Sequence, residues 1–421
     1  MASLFRHRRL YLALAVLSIY GGIMLVLKVL KTSNGGEVLN SLLHQSKLEV
    51  GHSDRSQQAF KLGTINNTAI HLNNVSGPQG DQISKKEVVI ENEAKLKRQQ
   101  EENEAKLKRE QEELRVRELE RMPFVRDPAY KQSVCPKTVS SVTKYSKWFR
   151  ERFIPGIKVF IDKEDLRRVD ELKVYDLPFG IKRSDQAFVE ILNHTSFLNP
   201  ELPLHGSGQE CIKCAVVGCG GILNGSEAGK EIEGHDYVFR LNRAISGEHH
   251  VKDVGKKTTF YTFFPESEHT FDVKDENVTS LYTMFKSFDV AYALHMVKDI
   301  DPPLALRGDK KTYTVRKPNV NLSKLKIIHP SFFRYVYTKY MDGVSYRPTT
   351  GAIVVIMALH LCDEVNIYGF GYDKRFTLHY YDDKFIMHMD NLTTLHDVDK
   401  ERVLWKKLHE EGILRLFKRD E

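Results

Sequence analysis

Apolar residues are concentrated in two regions of the chain, which a long polar segment separates. Residues 10–27 are uncharged and mostly apolar, and Val29 and Leu30 extend the run to the ~20 residues that a helix needs to cross a bilayer. Residues 32–92 are polar and show no sustained apolar period, which indicates a flexible segment without a core. Aromatic and β-branched residues become frequent after Met122, so we expect a folded domain over residues 123–421.

Residues 91–121 form a charged segment that is rich in Glu, Lys, Arg and Gln and has few leucines. The octet Glu-Asn-Glu-Ala-Lys-Leu-Lys-Arg occurs at 91–98 and again at 102–109. Strong helix formers with opposite charges three and four residues apart predict a solvated helix. We interpret this helix as a spacer, and dimerisation through Leu96, Leu107 and Leu114 is the alternative.

Short buried strands alternate with helical stretches in the folded part. The apolar runs at 214–218, 237–241, 259–264, 290–294, 325–329 and 364–369 each precede a turn or a helix. This alternation predicts an α/β fold with a mostly parallel sheet flanked by helices.

The charge distribution orients the amino-terminal segment and argues against one class of partner. The formal net charge is +7, but the basic residues either precede the apolar run or are mixed with acids, so no basic stripe predicts nucleic-acid binding. Positive charge before the run predicts a cytosolic tail over 1–9, a transmembrane signal-anchor over 10–30 and a lumenal stem over 31–122. A cleaved signal peptide is the alternative.

A lumenal chain is open to glycosylation and to disulfide formation. Asn-x-Ser/Thr acceptor sequences occur at Asn66, Asn74, Asn193, Asn224, Asn277, Asn321 and Asn391. The five cysteines allow two bridges and one remaining thiol, and they are Cys135, Cys211, Cys214, Cys219 and Cys362.

A glycine-rich turn follows the first apolar strand. Gly218, Gly220 and Gly221 surround Cys219, and a helix is expected to follow. Glycines permit close approach of a nucleotide to the backbone, and the amino terminus of a helix favours phosphate. The spacing differs from that of the dinucleotide-binding fingerprint, so the turn alone does not establish a nucleotide site.

Four motifs in order resemble those of the eukaryotic sialyltransferase family. The large motif covers 214–260 and includes Gly-His-Asp-Tyr-Val-Phe-Arg-Leu-Asn at 234–242 and Asp-Val-Gly-Lys-Lys-Thr at 253–258. The small motif covers 348–371, His-Tyr-Tyr follows at 379–381, and His396 precedes Glu401 with four residues between them. The resemblance implies a single Rossmann-like domain of the variant glycosyltransferase A type.

Within this family, three stretches are most similar to the enzymes that sialylate O6 of GalNAc on mucin-type O-glycans. They are Gly-Ile-Leu-Asn-Gly-Ser at 221–226, Tyr-Arg-Pro-Thr-Thr-Gly at 346–351 and Trp-Lys-Lys-Leu-His-Glu-Glu-Gly-Ile at 405–413. Phe-Pro-Glu-Ser at 264–267 and Cys-Asp-Glu-Val at 362–365 also resemble the branch that forms α2,3 links to galactose. The resemblance implies transfer from CMP-sialic acid to an O-glycosylated glycoprotein acceptor by a single-pass type II protein of the Golgi membrane.

The resemblance gives the catalytic roles to two histidines. An inverting sugar transfer needs a base that takes the proton of the attacking hydroxyl, and a neutral histidine suits that work. His396 matches this base, although without the other motifs it would be interpreted as a surface or helix-cap histidine. His379 is expected to face the leaving phosphate of CMP, with Tyr380 beside it on the donor side.

The donor-binding residues follow from the same matches. Asn242 corresponds to an asparagine that contacts the nucleotide, and an amide both donates and accepts hydrogen bonds. Thr349, Thr350 and Gly351 correspond to a turn that holds the sialic acid carboxylate. A proline-initiated turn that enters a helix is a sufficient alternative explanation for these three residues.

The resemblance also pairs the cysteines and implies that no cofactor is needed. It joins Cys214 to Cys362, a bridge expected to hold the glycine turn against the small-motif turn, and it leaves Cys135 with Cys211 as the second pair. No metal is expected, because the chemistry of the family is metal-independent. The Asp-x-Asp sequence at 397–399 is discounted as a metal site for this reason.

One residue of the glycine turn departs from the family pattern. Cys219 and Gly220 fall in the expected donor site, but the family typically carries asparagine where this chain has Cys219. A thiol is a weak donor and cannot replace the paired hydrogen bonds of an amide. Losing such a contact weakens donor binding about ten- to a hundredfold, so activity is expected but reduced.

Two classes of function remain open. An active transferase needs both His379 and His396, whereas a catalytically impaired glycan-binding paralogue would have no chemical need for them. Acceptor choice, between GalNAc O6 and galactose O3 of Gal-β1,3-GalNAc, depends on loops at 266–277 and 301–322 that carry no decisive motif.

Overall fold

A computed structural model of the chain describes residues 80–142, 144–194, 211–244, 248–267, 277–306, 312–371, 373, 375–383, 385 and 396–419. The apolar run at 10–27 and the acceptor sequences at Asn66, Asn74 and Asn391 lie outside these ranges. Among the described residues, no helix combines the length and the apolar character that a membrane span requires.

Strands and helices alternate through the folded part. The strands are β1 (Lys213–Val217), β2 (Tyr237–Leu241), β3 (Phe260–Phe263), β4 (Thr279–Tyr282), β5 (Ala305–Leu306), β6 (Thr312–Tyr313), β7 (Leu325–Ile327), β8 (Glu364–Tyr368) and β9 (Arg415–Leu416). The helices are α1 (Gly80–Glu120), α2 (Val139–Val142), α3 (Lys147–Arg150), α4 (Val169–Leu172), α5 (Asp185–Asn193), α6 (Gly229–Glu233), α7 (Val251–Val254), α8 (Ser287–Val297), α9 (Pro330–Lys339), α10 (Thr350–Leu361) and α11 (Val398–Glu410).

One seven-stranded sheet, parallel throughout, organises the domain. The order across the sheet is β7-β4-β3-β2-β1-β8-β9, and β5 pairs with β6 in a separate antiparallel ribbon. The strand order reverses between β1 and β8, which makes this pair the topological switch point of a doubly wound sheet. The predicted Rossmann-like α/β fold is confirmed.

The central strands are buried on both faces because helices cover each side. Cys214 and Val216 of β1 belong to one apolar cluster together with α10, while Ala215 and Val217 belong to the cluster on the opposite face. Successive residues of a strand point to opposite faces, so a strand covered on both sides must be apolar throughout. Every residue of α10 is buried as well, which explains why its sequence is almost entirely apolar.

One predicted strand is wrong, and the others are confirmed. Residues 290–294 lie in α8, a helix of 11 residues that includes the good helix formers Ala, Leu and Met. The carboxylate of Asp289 accepts hydrogen bonds from the backbone N–H groups of Phe285 and Lys286, at 2.7 and 3.2 Å, and so stabilises the start of the helix. The neighbouring strand β4 was not predicted.

The charged segment forms one helix, α1, which confirms the predicted helix and extends it by about three turns towards the amino terminus. Leu96, Leu107 and Leu114 are each more than half exposed. Its last turns contact the domain: the guanidinium of Arg115 lies 5.1 Å from the centre of the Tyr337 ring, and Leu119 is buried.

Arg334 on α9 fastens the carboxyl end of α1. This residue is 3% exposed, and its guanidinium donates to the backbone carbonyls of Leu119, Met122 (2.7 Å) and Pro123 (3.0 Å). The same group lies 4.5 Å from the centre of the Phe124 ring. The last four carbonyls of a helix lack internal partners, so a buried arginine here satisfies both the helix end and its own charge.

Both disulfide bridges implied by the resemblance are present, with Cα–Cα distances of 5.2 Å for Cys135–Cys211 and 6.1 Å for Cys214–Cys362. Cys214 lies near the start of β1, and Cys362 follows the last residue of α10. The bridge therefore lies at the amino-terminal edge of the sheet, about 18 Å along α10 from the small-motif turn. The expectation that it holds the two turns together is wrong, because both turns lie at the opposite edge.

Candidate active site

The predicted donor-binding turn lies at the carboxyl edge of the sheet, where β1 meets β8. The N–H of Gly218 donates to the carbonyl of Tyr368 at 2.8 Å, and that of Gly220 donates to the carbonyl of Gly369 at 3.0 Å. A Cβ atom on Gly220 would lie 2.5 Å from the Gly369 carbonyl oxygen, so only glycine fits there. Ligands of open α/β sheets bind at this switch point.

The ring of Phe370 brings three of the motifs together. Cβ atoms added to Gly351 and Gly218 would lie 3.0 and 3.1 Å from its ring atoms, and its centroid lies 5.7 Å from that of Trp405 on α11. The small-motif turn, the glycine turn and α11 therefore pack around one side chain. No sequence signal predicted this role.

The segment after β8 folds back over the glycine turn. The N–H of Gly221 donates to the carbonyl of Thr377 at 3.2 Å, and that of Tyr380 donates to the carbonyl of Cys219 at 2.8 Å. Tyr380 is 2% exposed, and its ring meets that of His250 edge to face at 5.1 Å. Tyr380 thus positions the turn and is itself enclosed.

His379 is held in a fixed orientation beside the glycine turn. Its Nδ1 donates to the Asp382 carboxylate at 2.8 Å, and its ring stacks on Tyr381 with 5.0 Å between centroids. Its side chain remains 29% exposed, which leaves Nε2 as the ring nitrogen that a ligand can reach. The partner Asp382 was not predicted, although an acid three residues after a candidate catalytic histidine is a usable signal.

Cys219 is half-buried where the central strands end. Its Sγ lies 3.9 Å from the carbonyl oxygen of Leu241. Burial raises the pKa of Cys219 to about 11, and a hydrogen bond with the Tyr381 hydroxyl opposes this only in part. The side chain is therefore a neutral thiol, and it is not an activated nucleophile.

Asn242 follows β2 directly and has a left-handed backbone, with φ of 52°. Asparagine tolerates this conformation better than most residues. Its N–H donates to the carbonyl of Thr262 at 2.9 Å, and its Oδ1 is buried without a hydrogen-bond partner. An unpaired buried amide oxygen is unfavourable, so it points to a donor supplied by a ligand.

Thr349 caps α10 and is bound by Glu401. Its N–H and its hydroxyl donate to the Glu401 carboxylate at 2.9 and 2.6 Å, and its Oγ1 accepts from the N–H of Ala352 at 3.0 Å. The Thr349 hydroxyl is therefore already hydrogen-bonded to other groups of the protein. The N–H groups of Thr350 and Gly351, in the first turn of α10, remain as donors for an anion.

Replacing Glu401 with glutamine is expected to change how stability depends on pH. Burial raises the pKa of Glu401 from 4.5 to about 7, against the opposing hydrogen bonds from Thr349. The folded protein therefore binds a proton that the unfolded chain does not between about pH 4.5 and 7, so wild-type stability falls as the pH rises through this window. Glu401→Gln removes this loss.

Denaturant unfolding at pH 5 and pH 8 measures the effect. From pH 5 to pH 8, the free energy of unfolding of Glu401→Gln should rise by on the order of 2 kcal/mol relative to that of wild type. Glu410→Gln on the same helix, where the side chain is 58% exposed, is the control and should show no such gain. Equal pH dependence in all three proteins would contradict the burial argument.

His396 has the geometry of a base. Its Nδ1 lies 3.0 Å from the backbone carbonyl oxygen of Arg347. Because a carbonyl only accepts, Nδ1 carries the proton and Nε2 keeps its lone pair. Burial lowers the pKa of His396, the hydrogen bond to the Arg347 carbonyl opposes this in part, and the nearby charge of Arg347 lowers the pKa further, so the ring stays neutral near neutral pH.

The Asp-x-Asp sequence after His396 belongs to the start of α11. The Asp397 carboxylate accepts from the N–H of Lys400 at 2.8 Å, and Asp399 forms an ion pair with Arg402 at 3.1 Å. No group of three His, Cys, Asp or Glu side chains in the described ranges could hold a metal ion.

Two charged residues of the large motif are structural. Arg240 is fully buried and donates to the carbonyls of Val254 (2.6 Å) and Gly255 (3.1 Å). The carboxylate of Asp253 accepts from the N–H groups of Gly225 and Glu227 at 2.8 and 2.9 Å. They hold the segments after the glycine turn and after β2 in place around the site.

Comparison with known families settles the class of this domain. A family model described as "Glycosyltransferase family 29 (sialyltransferase)" matches residues 160–413, a range that contains every residue of the site. The chain belongs to glycosyltransferase family 29, the sialyltransferases. The family resemblance deduced from the four motifs is confirmed.

Relatives of this family 29 chain include enzymes of both linkages. Alpha-N-acetylgalactosaminide alpha-2,6-sialyltransferase 1 of Gallus gallus is 33% identical over 327 residues, which cover 70% of this chain and 57% of that protein. Alpha-N-acetylgalactosaminide alpha-2,6-sialyltransferase 2 of Homo sapiens is 32% identical over 275 residues, which cover 59% of this chain and 73% of that protein. CMP-N-acetylneuraminate-beta-galactosamide-alpha-2,3-sialyltransferase 4 of Rattus norvegicus is 33% identical over 275 residues, which cover 61% of this chain and 78% of that protein. The chain spans 52–60% of the length of the three alpha-N-acetylgalactosaminide alpha-2,6-sialyltransferase 1 relatives.

Solved structures agree with the family 29 fold. The crystal structure of a mammalian sialyltransferase aligns with a TM-score of 0.54 and 27% identity over 69% of this chain and 100% of that chain. A complex of a mammalian sialyltransferase with Gal-beta-1-3GalNAc-ortho-nitrophenol aligns with a TM-score of 0.53 at 27% identity, with the same coverage.

Proposed function

We propose that the protein transfers sialic acid from CMP-sialic acid to O6 of GalNAc on O-linked glycoprotein glycans, with inversion and without a metal. The observation that carries this proposal is His396, whose Nδ1–H is held by the Arg347 carbonyl while Nε2 is free to accept a proton. Relatives that match over most of the domain are named as GalNAc α2,6-sialyltransferases, which supports the linkage.

The proposed reaction is a single displacement at the anomeric carbon of sialic acid. The acceptor oxygen forms the new bond while His396 Nε2 takes its proton. The bond to CMP breaks, and its electron pair leaves with the phosphate. His379, oriented by Asp382, faces that phosphate, and the N–H groups of Thr350 and Gly351 bind the sialic acid carboxylate.

A transfer assay with two acceptors tests the proposal. A soluble form that retains residues 84–421 is given CMP-sialic acid, EDTA, and either GalNAc-peptide or Gal-β1,3-GalNAc-peptide, and the product linkage is determined. We expect CMP release and an α2,6 link to GalNAc in the presence of EDTA. No turnover on either acceptor would contradict the enzyme assignment.

The second candidate is α2,3 transfer to the galactose of Gal-β1,3-GalNAc. It is supported by the relatives named as α2,3-sialyltransferases, which are 32–33% identical. The same assay separates the two candidates, because a product linked to O3 of galactose would replace the proposed linkage.

Replacing Cys219 with asparagine is expected to strengthen donor binding. The half-buried thiol cannot form the paired hydrogen bonds of an amide, and Asn242 beside it also has an unpaired amide oxygen. We expect the KM for CMP-sialic acid to fall about tenfold or more in Cys219→Asn, with kcat changed less.

Cys219→Ser is the matched control, because it keeps the size of the side chain and adds no amide. It should leave the KM within a few-fold of wild type. An unchanged KM in Cys219→Asn would show that the position makes no donor contact. Absence of turnover in both wild type and Cys219→Asn would favour the impaired glycan-binding paralogue.

We propose that the protein is a single-pass type II protein of the Golgi membrane, anchored by residues 10–30, with a lumenal catalytic domain. The two disulfides support an oxidising compartment. The acceptor asparagines within the described ranges are all exposed, and they are Asn193, Asn224, Asn277 and Asn321. We expect glycosidase treatment to lower the apparent mass of the protein on a gel. We also expect residues 123–421 to be protected from added protease in sealed vesicles.

We further propose that α1 allows homodimer formation. Leu96, Leu107 and Leu114 are spaced by 11 and 7 residues, so they lie within about 20° of one line along the helix. Sedimentation equilibrium of residues 84–421 tests this, and a monomer at high micromolar concentration would contradict it.

A further inference from the structure

An arginine with buried and unused hydrogen-bond donors lies beside the proposed base. Nε and Nη1 of Arg347 are both buried and have no hydrogen-bond partner. The two arginines that are buried as whole residues in the described ranges, Arg240 and Arg334, each donate to three or more backbone carbonyls. Buried guanidinium groups without partners are unfavourable, so this one calls for an acceptor.

Neighbouring acids do not supply that acceptor. Lys286 forms an ion pair with Glu266 and lies 3.4 Å from the carboxylate of Asp289. Within the described ranges, no carboxylate oxygen lies within 4.0 Å of the Arg347 guanidinium nitrogens. Burial lowers the pKa of Arg347, with Asp289, Tyr346 and Glu266 opposing this from a longer distance.

The guanidinium is held in place by packing and not by pairing. It lies 3.8 Å from the centre of the Phe285 ring. Phe285 follows β4, so the group lies at the carboxyl edge of the sheet, where the site is. The carbonyl of Arg347 accepts from His396, and Thr349, two residues on, is bound by Glu401. An orienting aromatic face with free N–H groups is suited to a planar anion.

We propose that Arg347 is a specificity-determining residue that binds a carboxylate of the substrates next to His396. A guanidinium pairs with a carboxylate through charge-assisted hydrogen bonds, and neutral sugars offer no charge to match it. The proposal rests on the proposed function, since sialic acid is the carboxylate of that reaction. Two sources share this chemistry: the sialic acid of the donor, and a sialic acid already present on the acceptor glycan.

Steady-state kinetics of Arg347→Gln separate the two sources. If the donor carboxylate binds here, the KM for CMP-sialic acid rises about ten- to a hundredfold on every acceptor. If an acceptor carboxylate binds here, the KM for a sialyl-Gal-GalNAc-peptide rises by that factor, and the KM values for CMP-sialic acid and for the unsialylated peptide do not. Unchanged KM values for all three substrates would overturn the proposal.

Lys286→Gln is the matched control, because it removes the same charge from a neighbour that already has a carboxylate partner. Its KM values should change less than about fivefold. Arg347→Lys keeps the charge but loses the planar group, and it should recover only part of the lost affinity.

A merely structural role gives a different pattern. If Arg347 only compensates Asp289 or supports His396, then Arg347→Gln lowers kcat or the melting temperature and moves the pH profile of kcat, with KM unchanged. The double variant Arg347→Gln/Asp289→Asn would then recover stability and activity. A KM defect that persists in the double variant, at an unchanged pH profile, supports the carboxylate site.

Equilibrium binding keeps the test separate from the proposed function. Should wild type show no transfer, calorimetry compares CMP with CMP-sialic acid, and Gal-GalNAc-peptide with its sialylated form, on wild type and Arg347→Gln. A preference for the sialylated ligand that the substitution abolishes supports the site even without turnover. Equal binding by the two proteins overturns it.

Discussion

His396→Ala is expected to lower kcat by about 10²- to 10⁴-fold, the usual contribution of general base catalysis. The substitution removes the one nitrogen, Nε2, that the Arg347 carbonyl leaves free to take the acceptor proton. The KM for CMP-sialic acid should stay within a few-fold of wild type, because the donor residues lie on other elements. Initial rates at saturating donor and acceptor measure the effect.

The control is a histidine with the same kind of bond outside the site. Nδ1 of His295 lies 2.6 Å from the carbonyl oxygen of Asp301, so His295→Ala removes an equivalent hydrogen bond and should keep wild-type kcat. Since burial lowers the pKa of His396, kcat in wild type should fall only when the pH drops below the usual range of histidine. A kcat in His396→Ala within tenfold of wild type would rule out the base role.

Cys214→Ala/Cys362→Ala is expected to lower the free energy of unfolding by about 2–5 kcal/mol. The bridge joins residues 148 apart, so its loss frees a long loop in the unfolded chain. The folded fraction should keep its activity, because the bridge lies at the edge of the sheet away from the site. Denaturant unfolding and kcat at low temperature provide the two measurements.

Cys135→Ala/Cys211→Ala is the comparison, since this bridge closes a loop of 76 residues. The model of chain entropy predicts a loss smaller by only about 0.6 kcal/mol. If removal of Cys214–Cys362 alone abolished kcat while the protein remained folded, the bridge would control the site after all.

Much of the fold and the outline of the site could be predicted from local sequence. Buried strands read as short apolar runs between turns, and their alternation with helices fixes a parallel sheet. The run at 290–294 could not be assigned correctly, because a short apolar stretch is compatible with a strand and with a buried helix such as α8. Only its full length and the capping carboxylate of Asp289 distinguish the two.

The contacts that organise the site could not be predicted, because they join residues far apart in the chain. Thr349 and Glu401 are 52 residues apart. Thr349 matches a ligand-binding motif, but its N–H and hydroxyl are hydrogen-bonded to the buried Glu401 carboxylate. Likewise, the motif resemblance pairs Cys214 with Cys362 but does not say which edge of the sheet the bridge occupies. The unpaired donors of Arg347 are a property of its three-dimensional surroundings alone.

The docking of α1 limits where the catalytic domain could be cut away from the proposed membrane anchor. The carbonyls of Leu119, Met122 and Pro123 accept the hydrogen bonds of the buried Arg334. A protease that cut at the end of the helix would leave this charge without acceptors and destabilise the packing of α9. Cleavage upstream of the docked turns would leave them attached. If the proposed anchor and activity are correct, a released form that stays folded should therefore keep at least the last turns of α1 at its new amino terminus.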